Sequence, residues 1–160
     1  MTEAGNRLKL VDIGDSNLAS FLQIYELLAF QQDKKRLLKR IGQFVYSKIA
    51  FVKDKPAGII YVDDVQEKHG NLPENSVYLE FVGVKVMNRS EGIATSMMKD
   101  CLEYLESLKK YDYIVLHVQK NNEDAINLYK KFNFEVLDTI PRYYPRFACE
   151  DAYLMTRKLQ

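Results

Sequence analysis

Three stretches of this chain combine residue types that can do chemistry. The first is Arg89-Ser90-Glu91-Gly92-Ile93-Ala94, between a β-branched run, VYLEFVGVKV, and a periodic stretch beginning TSMMKDCLEYLESL. A strand that hands over to a helix here presents the helix's first amides, unpaired and carrying a partial positive charge. Gly92 and Ala94 let an anion approach those amides, and Arg89 adds a formal charge at the rim, as a phosphate site requires. The same spacing also serves as a plain helix start, with Gly92 chosen for turn geometry. Glu91 is the awkward member. A carboxylate in the first helical turn suits the macrodipole, so its side chain is expected to face solvent.

The second stretch is the strand itself. Period-two alternation puts Tyr78, Glu80, Val82 and Val84 on one face and Leu79, Phe81 and Gly83 on the other. Glu80 thus shares a face with Tyr78, where it can take a proton or attract a cation; its plainer role is a partly solvated carboxylate at the sheet's end. Downstream, YIVLHV places His117 in a short buried strand. A histidine titrates near neutrality and can move a proton, although a lone one in a β-rich run more commonly serves the core. The third stretch is PRYYPRF, where Pro141 and Pro145 flank Tyr143 and Tyr144. Two adjacent aromatics between prolines suit a stiff loop facing a ligand.

The bulk numbers bound what these residues serve. The 160 residues suit one domain, 1–160, with 47% hydrophobic and 28% charged residues, ordinary for a soluble globular protein. A net charge of +1 gives no basic field for nucleic acid. No apolar run approaches a membrane span, and MTEAGNRLKL lacks a signal-peptide core. Cys101 and Cys149 are too few for a disulfide framework, and with His69 and His117 they make a poor metal-ligand inventory. The expectation is a reduced, cytoplasmic protein without a metal.

The elements that must position these residues follow from pattern. LKLVDI (8–13) reads as a strand, and Ser16 or Asn17 can cap a helix with Leu18, Phe21, Leu22, Tyr25 and Leu28 inward. A basic helix follows from Asp33, carrying Leu37, Leu38 and Ile41. IAFVKDKPAGIIYVDD reads as a hairpin around Lys53-Asp54-Lys55-Pro56, and QEKHGNLPENS as a surface loop. A strand over 76–86 precedes a helix from about Gly92 to Lys109, with Ala94, Met98, Cys101, Leu102, Leu105 and Leu108 inward. Residues 113–118 form a strand. NNEDAINLYKKF forms a helix with Ala125, Leu128, Tyr129 and Phe132 inward, ended at Asn133-Phe134. FEVLDT and EDAYLMTRKL close the chain as strands. The order β-α-α-β-β-β-α-β-α-β-β predicts an α/β domain, a mixed, mostly antiparallel sheet flanked by helices.

These pieces resemble the Gcn5-related N-acetyltransferases. R-x-x-G-x-A stands where that family carries its acetyl-CoA pyrophosphate loop, and VYLEFVGVKV resembles its fourth strand. The family's N-x-x-A-x-x-x-Y-x-x-x-G-F pattern is similar to Asn122, Ala125, Tyr129 and Asn133-Phe134, with asparagine in place of glycine. Asparagine also tolerates the left-handed conformation of a helix C-terminus. Within the family, IVLHVQKNNEDAINLYKKFNFEVLDT with YYPRF and EDAYLMTRKL resembles the NatE catalytic subunits, which acetylate protein N-termini.

That resemblance implies an acetyl-CoA-dependent transferase in which the amine attacks directly within a ternary complex. It implies Tyr78 and His117 as the catalytic pair and Tyr129 as the group that meets the departing thiolate. It implies backbone donors from Val82, Gly83 and Val84, and a cofactor held by Arg89, Ser90, Glu91, Gly92, Ile93, Ala94, Thr95 and Asn122. It implies Tyr143, Tyr144 and Phe147 as the lining of the peptide site. Many relatives in the broader family use a glutamate of the fourth strand as base, so Glu80 joins the catalytic candidates. The loop after the first helix lacks the NatE proline and tyrosine. Leu28 and Phe30 are left as its apolar wall, which implies a different first residue or a different amine. Three readings follow: an N-terminal acetyltransferase, with a peptide or protein N-terminus as partner and a helical-repeat auxiliary subunit; an acetyltransferase for lysine or a small amine, with Glu80 as base; and a weakly active structural subunit of an acetylation complex. None involves nucleic acid or a membrane.

Overall fold

The computed structural model describes residues 8–29, 34–64, 72–145 and 147–160. The elements run β1 (Leu8–Asp12), α1 (Leu18–Leu28), α2 (Lys34–Arg40), β2 (Tyr46–Val52), β3 (Lys55–Asp64), β4 (Ser76–Val84), α3 (Ile93–Ser107), β5 (Tyr113–Gln119), α4 (Glu123–Lys131), β6 (Glu135–Ile140) and β7 (Ala152–Lys158). This is the order read from the sequence. The strands form one seven-stranded sheet in the order β1-β2-β3-β4-β5-β7-β6. β4 and β5 pair in parallel, whereas the β1–β2, β2–β3, β5–β7 and β6–β7 pairs are antiparallel, so the sheet is mixed.

The chain divides into two compact units. One comprises residues 1–63 and 80–101, the other residues 64–79 and 102–160. In the first unit, β2 and β3 meet in a two-residue turn. Lys53 and Asp54 both take positive φ, 50° and 64°, as the tight hairpin turn that matches strand twist demands. The turn is therefore shorter than the four residues expected, and Lys55 and Pro56 already belong to β3. Phe21, Ile24, Tyr25, Leu37, Ile49, Ile59 and Tyr61 form one buried core cluster. Tyr61 is its hub: Phe21 meets it edge-on at 5.6 Å, and Phe44 and Phe81 stack on it at 4.8 and 6.0 Å.

Asn17 holds the N-cap position of α1, but its side chain serves the preceding turn. Its Oδ1 accepts from Gly14 N at 2.8 Å and its Nδ2 donates to the Asp12 carbonyl at 2.9 Å. In α2, Leu37 is buried, whereas Leu38 is 48% exposed. Asp33, its expected start, and most of the loop after β3 lie outside the described residues.

α3 buries Ile93, Met97, Met98, Cys101, Leu102 and Leu105. The expected stripe is right in its middle and displaced at both ends. Ile93 and Met97 replace Ala94 at the start, and Leu108 is 38% exposed because the helix ends at Ser107.

In the second unit, β5 lies between β4 and β7. Tyr78 stands opposite Val115, and His117 opposite Leu154. α4 buries Ile126 and Tyr129, with Ala125, Leu128 and Phe132 half-buried rather than inward. Its end is a Schellman motif. Phe134 N donates to Tyr129 O at 3.1 Å, Asn133 N donates to Lys130 O at 3.0 Å, and Asn133 sits at φ 65°. The apolar contact that accompanies this motif is Tyr129 against Phe134, ring centroids 5.8 Å apart. β6 is the edge strand and is exposed along most of its length.

The motif makes Asn133 a sharp test of how this helix stops. Asn133→Ala is expected to cost about 1 kcal/mol of stability, the left-handed penalty of a Cβ without a compensating side-chain amide. Asn133→Gly is expected to leave stability unchanged or raise it slightly. Urea unfolding monitored by circular dichroism separates the two.

Candidate functional site

Four aromatic rings and one imidazole assemble in the second unit. Tyr78, 4% exposed, shares a hydrogen bond between its Oη and His117 Nδ1. Tyr143 Oη lies 3.3 Å from Tyr78 Oη, and its ring stacks on the His117 imidazole at 4.1 Å and 12°. Tyr144 meets Tyr143 edge-on at 4.8 Å, and Phe147 meets Tyr144 at 5.8 Å. Burial pushes the Tyr144 phenol well above its ordinary pKa, helped by the neighbouring Tyr143 and Tyr129 phenols.

Local structure explains the assembly. Tyr78 faces Val115 across a parallel pair, and His117 is two residues further along β5, hence on the same face as Val115. Aromatic side chains lean along the strand and reach this diagonal neighbour. The loop after β6 brings in Tyr143, with Tyr144 N bonded to Glu150 O at 2.8 Å and Arg142 in the left-handed region at φ 58°. A phenol hydrogen-bonded to an imidazole can pass a proton, and a stacked ring favours the imidazolium that results.

Glu80 has a different setting from the one expected of a base. Arg36 of α2 donates from Nη2 to its Oε1 at 3.0 Å, and the Glu80 side chain is only 9% exposed. That hydrogen bond, with the Glu80 charge behind it, holds the Arg36 guanidinium above its ordinary range against the pull of burial. One turn along α2, Arg40 grips the buried Asp63 through two bonds, 2.8 and 2.6 Å. Glu80 is therefore neither a free carboxylate nor a solvated one.

The loop 89–94 lies in the first unit. A short 3₁₀ turn, Val86–Asn88, intervenes after β4, which ends at Val84 rather than 86. Arg89 Nε then donates to the Val84 carbonyl at 3.2 Å. Ser90 and Gly92 both take positive φ, 65° and 78°. The first backbone bond of α3 runs from Ser96 N to Gly92 O at 3.0 Å, so the preceding amides open the helix. A Cβ added to Gly92 would meet nothing within 4 Å, and the first turn holds no acidic residue. This corrects the reading of Glu91: the helix begins at Ile93, so Glu91 lies outside the first turn. It lines a groove of about 650 Å³ with Lys53, Lys55 and Lys85.

Gly83 brings another candidate, Leu28, close to β4. A Cβ there would fall 2.7 Å from the Phe81 ring and 3.1 Å from Leu28 Cδ1, so the glycine lets the end of α1 approach β4. Phe30 lies outside the described residues. In α4, Asn122 is the N-cap, its Oδ1 accepting from Ala125 N at 3.2 Å. Burial pushes the Tyr129 phenol up to about 12, so it is a proton donor at any physiological pH. Among the described residues, no group of three or more His, Cys, Asp or Glu side chains could hold a metal ion.

Arg36 is the residue that sequence reasoning missed. Its signal was a pair of arginines four apart in a short helix that has no acidic residue of its own.

A sequence model of the acetyltransferase (GNAT) family matches residues 11–134 and runs through both units. The chain is 27% identical to N-alpha-acetyltransferase 50 of Danio rerio, over 96% of this chain and 90% of that one. It is 32% identical to a probable N-acetyltransferase, san, of Drosophila melanogaster over 71% of this chain and 60% of that protein. The solved structure of Arabidopsis thaliana Naa50 in complex with a bisubstrate analogue, CoA-Ac-MVNAL, superimposes with a TM-score of 0.76. Its sequence identity is 30%, covering 94% of this chain and 98% of that one.

The loop geometry predicts a diphosphate site that depends on Gly92. Gly92→Val places a β-branched residue at positive φ and is expected to weaken inorganic pyrophosphate binding about tenfold in calorimetry. Arg89→Ala is expected to weaken it in the same direction. Unchanged affinity in both variants would rule the loop out as an anion site.

Proposed function

The chain belongs to the acetyltransferase (GNAT) family, and we propose that it transfers an acetyl group from acetyl-CoA to the α-amine of a protein N-terminus, as one acetyltransferase domain over residues 1–160. The observation that carries this reading is the Tyr78–His117 hydrogen bond with Tyr143 packed over it. The names of the Danio and Arabidopsis relatives, and the peptide in the latter's analogue, support the same class of acceptor.

The residues fit the co-substrate. An open positive-φ glycine, the first amides of α3 and Arg89 suit its diphosphate, and Ser90, Ile93, Ala94 and Thr95 are the neighbours the proposal assigns to it; Asn122 is assigned to the cofactor by the resemblance alone. Acetyl-CoA, when bound, supplies the acetyl group as an activated thioester. The backbone of Val82, Gly83 and Val84 holds the carbonyl oxygen. Tyr78 and His117 accept the proton that the attacking amine must lose. Tyr129, a phenol kept protonated by burial, supplies a proton to the leaving sulfur. Tyr143, Tyr144, Phe147, Leu28 and Phe30 position the start of the peptide.

The Arg36 ion pair favours this reading over one in which Glu80 is the base for a small amine, because the carboxylate already has a cationic partner. A cytoplasmic setting suits Cys101 and Cys149, both free thiols. A helical-repeat auxiliary subunit belongs to the same proposal.

Transfer of labelled acetyl from acetyl-CoA to a peptide library varied at the first two residues tests the function. His117→Ala and Tyr78→Phe are each expected to lower the rate by about 10²-fold or more, typical of lost proton transfer, with unfolding midpoints close to wild type. Wild-type rates in both variants would remove the pair from the mechanism. Transfer to polyamines or free lysine, with none to peptides, would overturn the acceptor class.

A further inference from the structure

We propose that Gln119 is a positioning residue of the acceptor site, holding the Tyr143–Tyr144 segment over His117 and so setting the affinity for the peptide. The inference rests on the reading above, that this segment receives the start of a peptide. Gln119 follows His117 by two residues on β5, so both side chains leave the same face of the strand, about 7 Å apart along it. Each meets the loop between β6 and β7. His117 stacks against the Tyr143 ring at 4.1 Å, and Gln119 Nε2 donates to the Cys149 carbonyl at 3.1 Å. One strand face thus touches the outgoing limb of the loop at Tyr143 and the returning limb at Cys149.

Hydrogen bonds within the loop pass that anchorage on. Glu150, next to Cys149, accepts from Tyr144 N at 2.8 Å, and Phe147 N donates to the Tyr144 carbonyl at 3.3 Å. Fixing Cys149 therefore fixes the backbone of Tyr144 and, beside it, Tyr143. The Gln119 bond is partly buried, where water competes for it less than at the surface. The root of the loop is closed independently. Lys120 N donates to the Asp151 carbonyl at 3.0 Å, and Arg142 N to the Asp151 carboxylate at 3.2 Å. These bonds do not involve the Gln119 side chain, and neither does the pairing of β5 with β7. Removing the amide thus loosens the Tyr143–Tyr144 segment while the neck of the loop and the sheet keep their hydrogen bonds.

The test uses Gln119→Leu, which keeps the bulk and loses the donor, and Gln119→Glu, which keeps the shape and turns a carboxylate toward the carbonyl. In both, KM for the peptide is expected to rise about tenfold, the worth of one hydrogen bond, with kcat and KM for acetyl-CoA close to wild type. A second readout needs no turnover. The face of a stacked ring shields the protons above it, so the His117 ring resonance, assigned in proton NMR by its loss in His117→Ala, is expected to move downfield in both variants as Tyr143 lifts away. Either variant suffices if the other does not fold. An unmoved resonance would overturn the inference. So would an unchanged peptide KM beside a lower kcat and unfolding midpoint, the mark of a merely structural residue. A wild-type protein inactive on every peptide rejects the N-terminal function, and the His117 resonance then still decides whether Gln119 holds the loop.

Discussion

The Tyr78–His117 hydrogen bond depends on strand register. β4 and β5 run parallel with Tyr78 opposite Val115, and that pairing puts Tyr78 and His117 on one face with their side chains converging. A slip of one residue would turn the imidazole to the other face of the sheet. Register here is fixed by burial on both faces: Val77, Tyr78 and Leu79 are all buried, as are Ile114, Val115 and Leu116. The packing that makes these strands cohesive therefore also sets the Tyr78–His117 geometry. β7 reinforces it, pairing with β5 along the whole strand from Tyr113 to Gln119.

Charge in the first unit is organised differently, by pairing across long stretches of sequence. Asp63 is fully buried and is held by Arg40, 23 residues earlier; Glu80 is nearly buried and is held by Arg36, 44 residues earlier. Breaking either pair from one side leaves a charge in a poorly solvated place, a larger loss than the pair's net worth. These pairs tie a short, basic, two-turn helix to strands β3 and β4. α2 buries only Leu37, so its position owes more to these ion pairs than a longer amphipathic helix would require.

Much of this was legible locally. The hairpin at Lys53-Asp54, the helix start after Gly92 and the end of α4 at Asn133-Phe134 each depend on residues within a few positions of one another. Turn chemistry and strand alternation are short-range rules. Errors came where a boundary or a distant partner decided. α3 opens at Ile93 rather than Gly92, and at about 100° per residue Ile93 and Met97 share one inward arc with Met98, Cys101 and Leu105. Glu91 fell out of the first turn for the same reason. The fate of Glu80 was set by Arg36, which no local pattern connects to it. Tyr143 stacking on His117 was equally invisible, since a loop's path over a strand is tertiary information.

On the proposed function, this stacking bears on where the proton goes. A neutral imidazole that receives Tyr78's hydroxyl proton at Nδ1 leaves the phenol oxygen basic toward the amine, so Tyr78 can take a proton on one side while giving one up on the other. The charge then rests on His117 rather than on a phenolate or an ammonium. The face of Tyr143, 4.1 Å away, stabilises that cation by its quadrupole. A carboxylate base would serve the same end only if it were unpaired. With Glu80 held by Arg36, the tyrosine–histidine pair is the proton acceptor that the proposed function calls on.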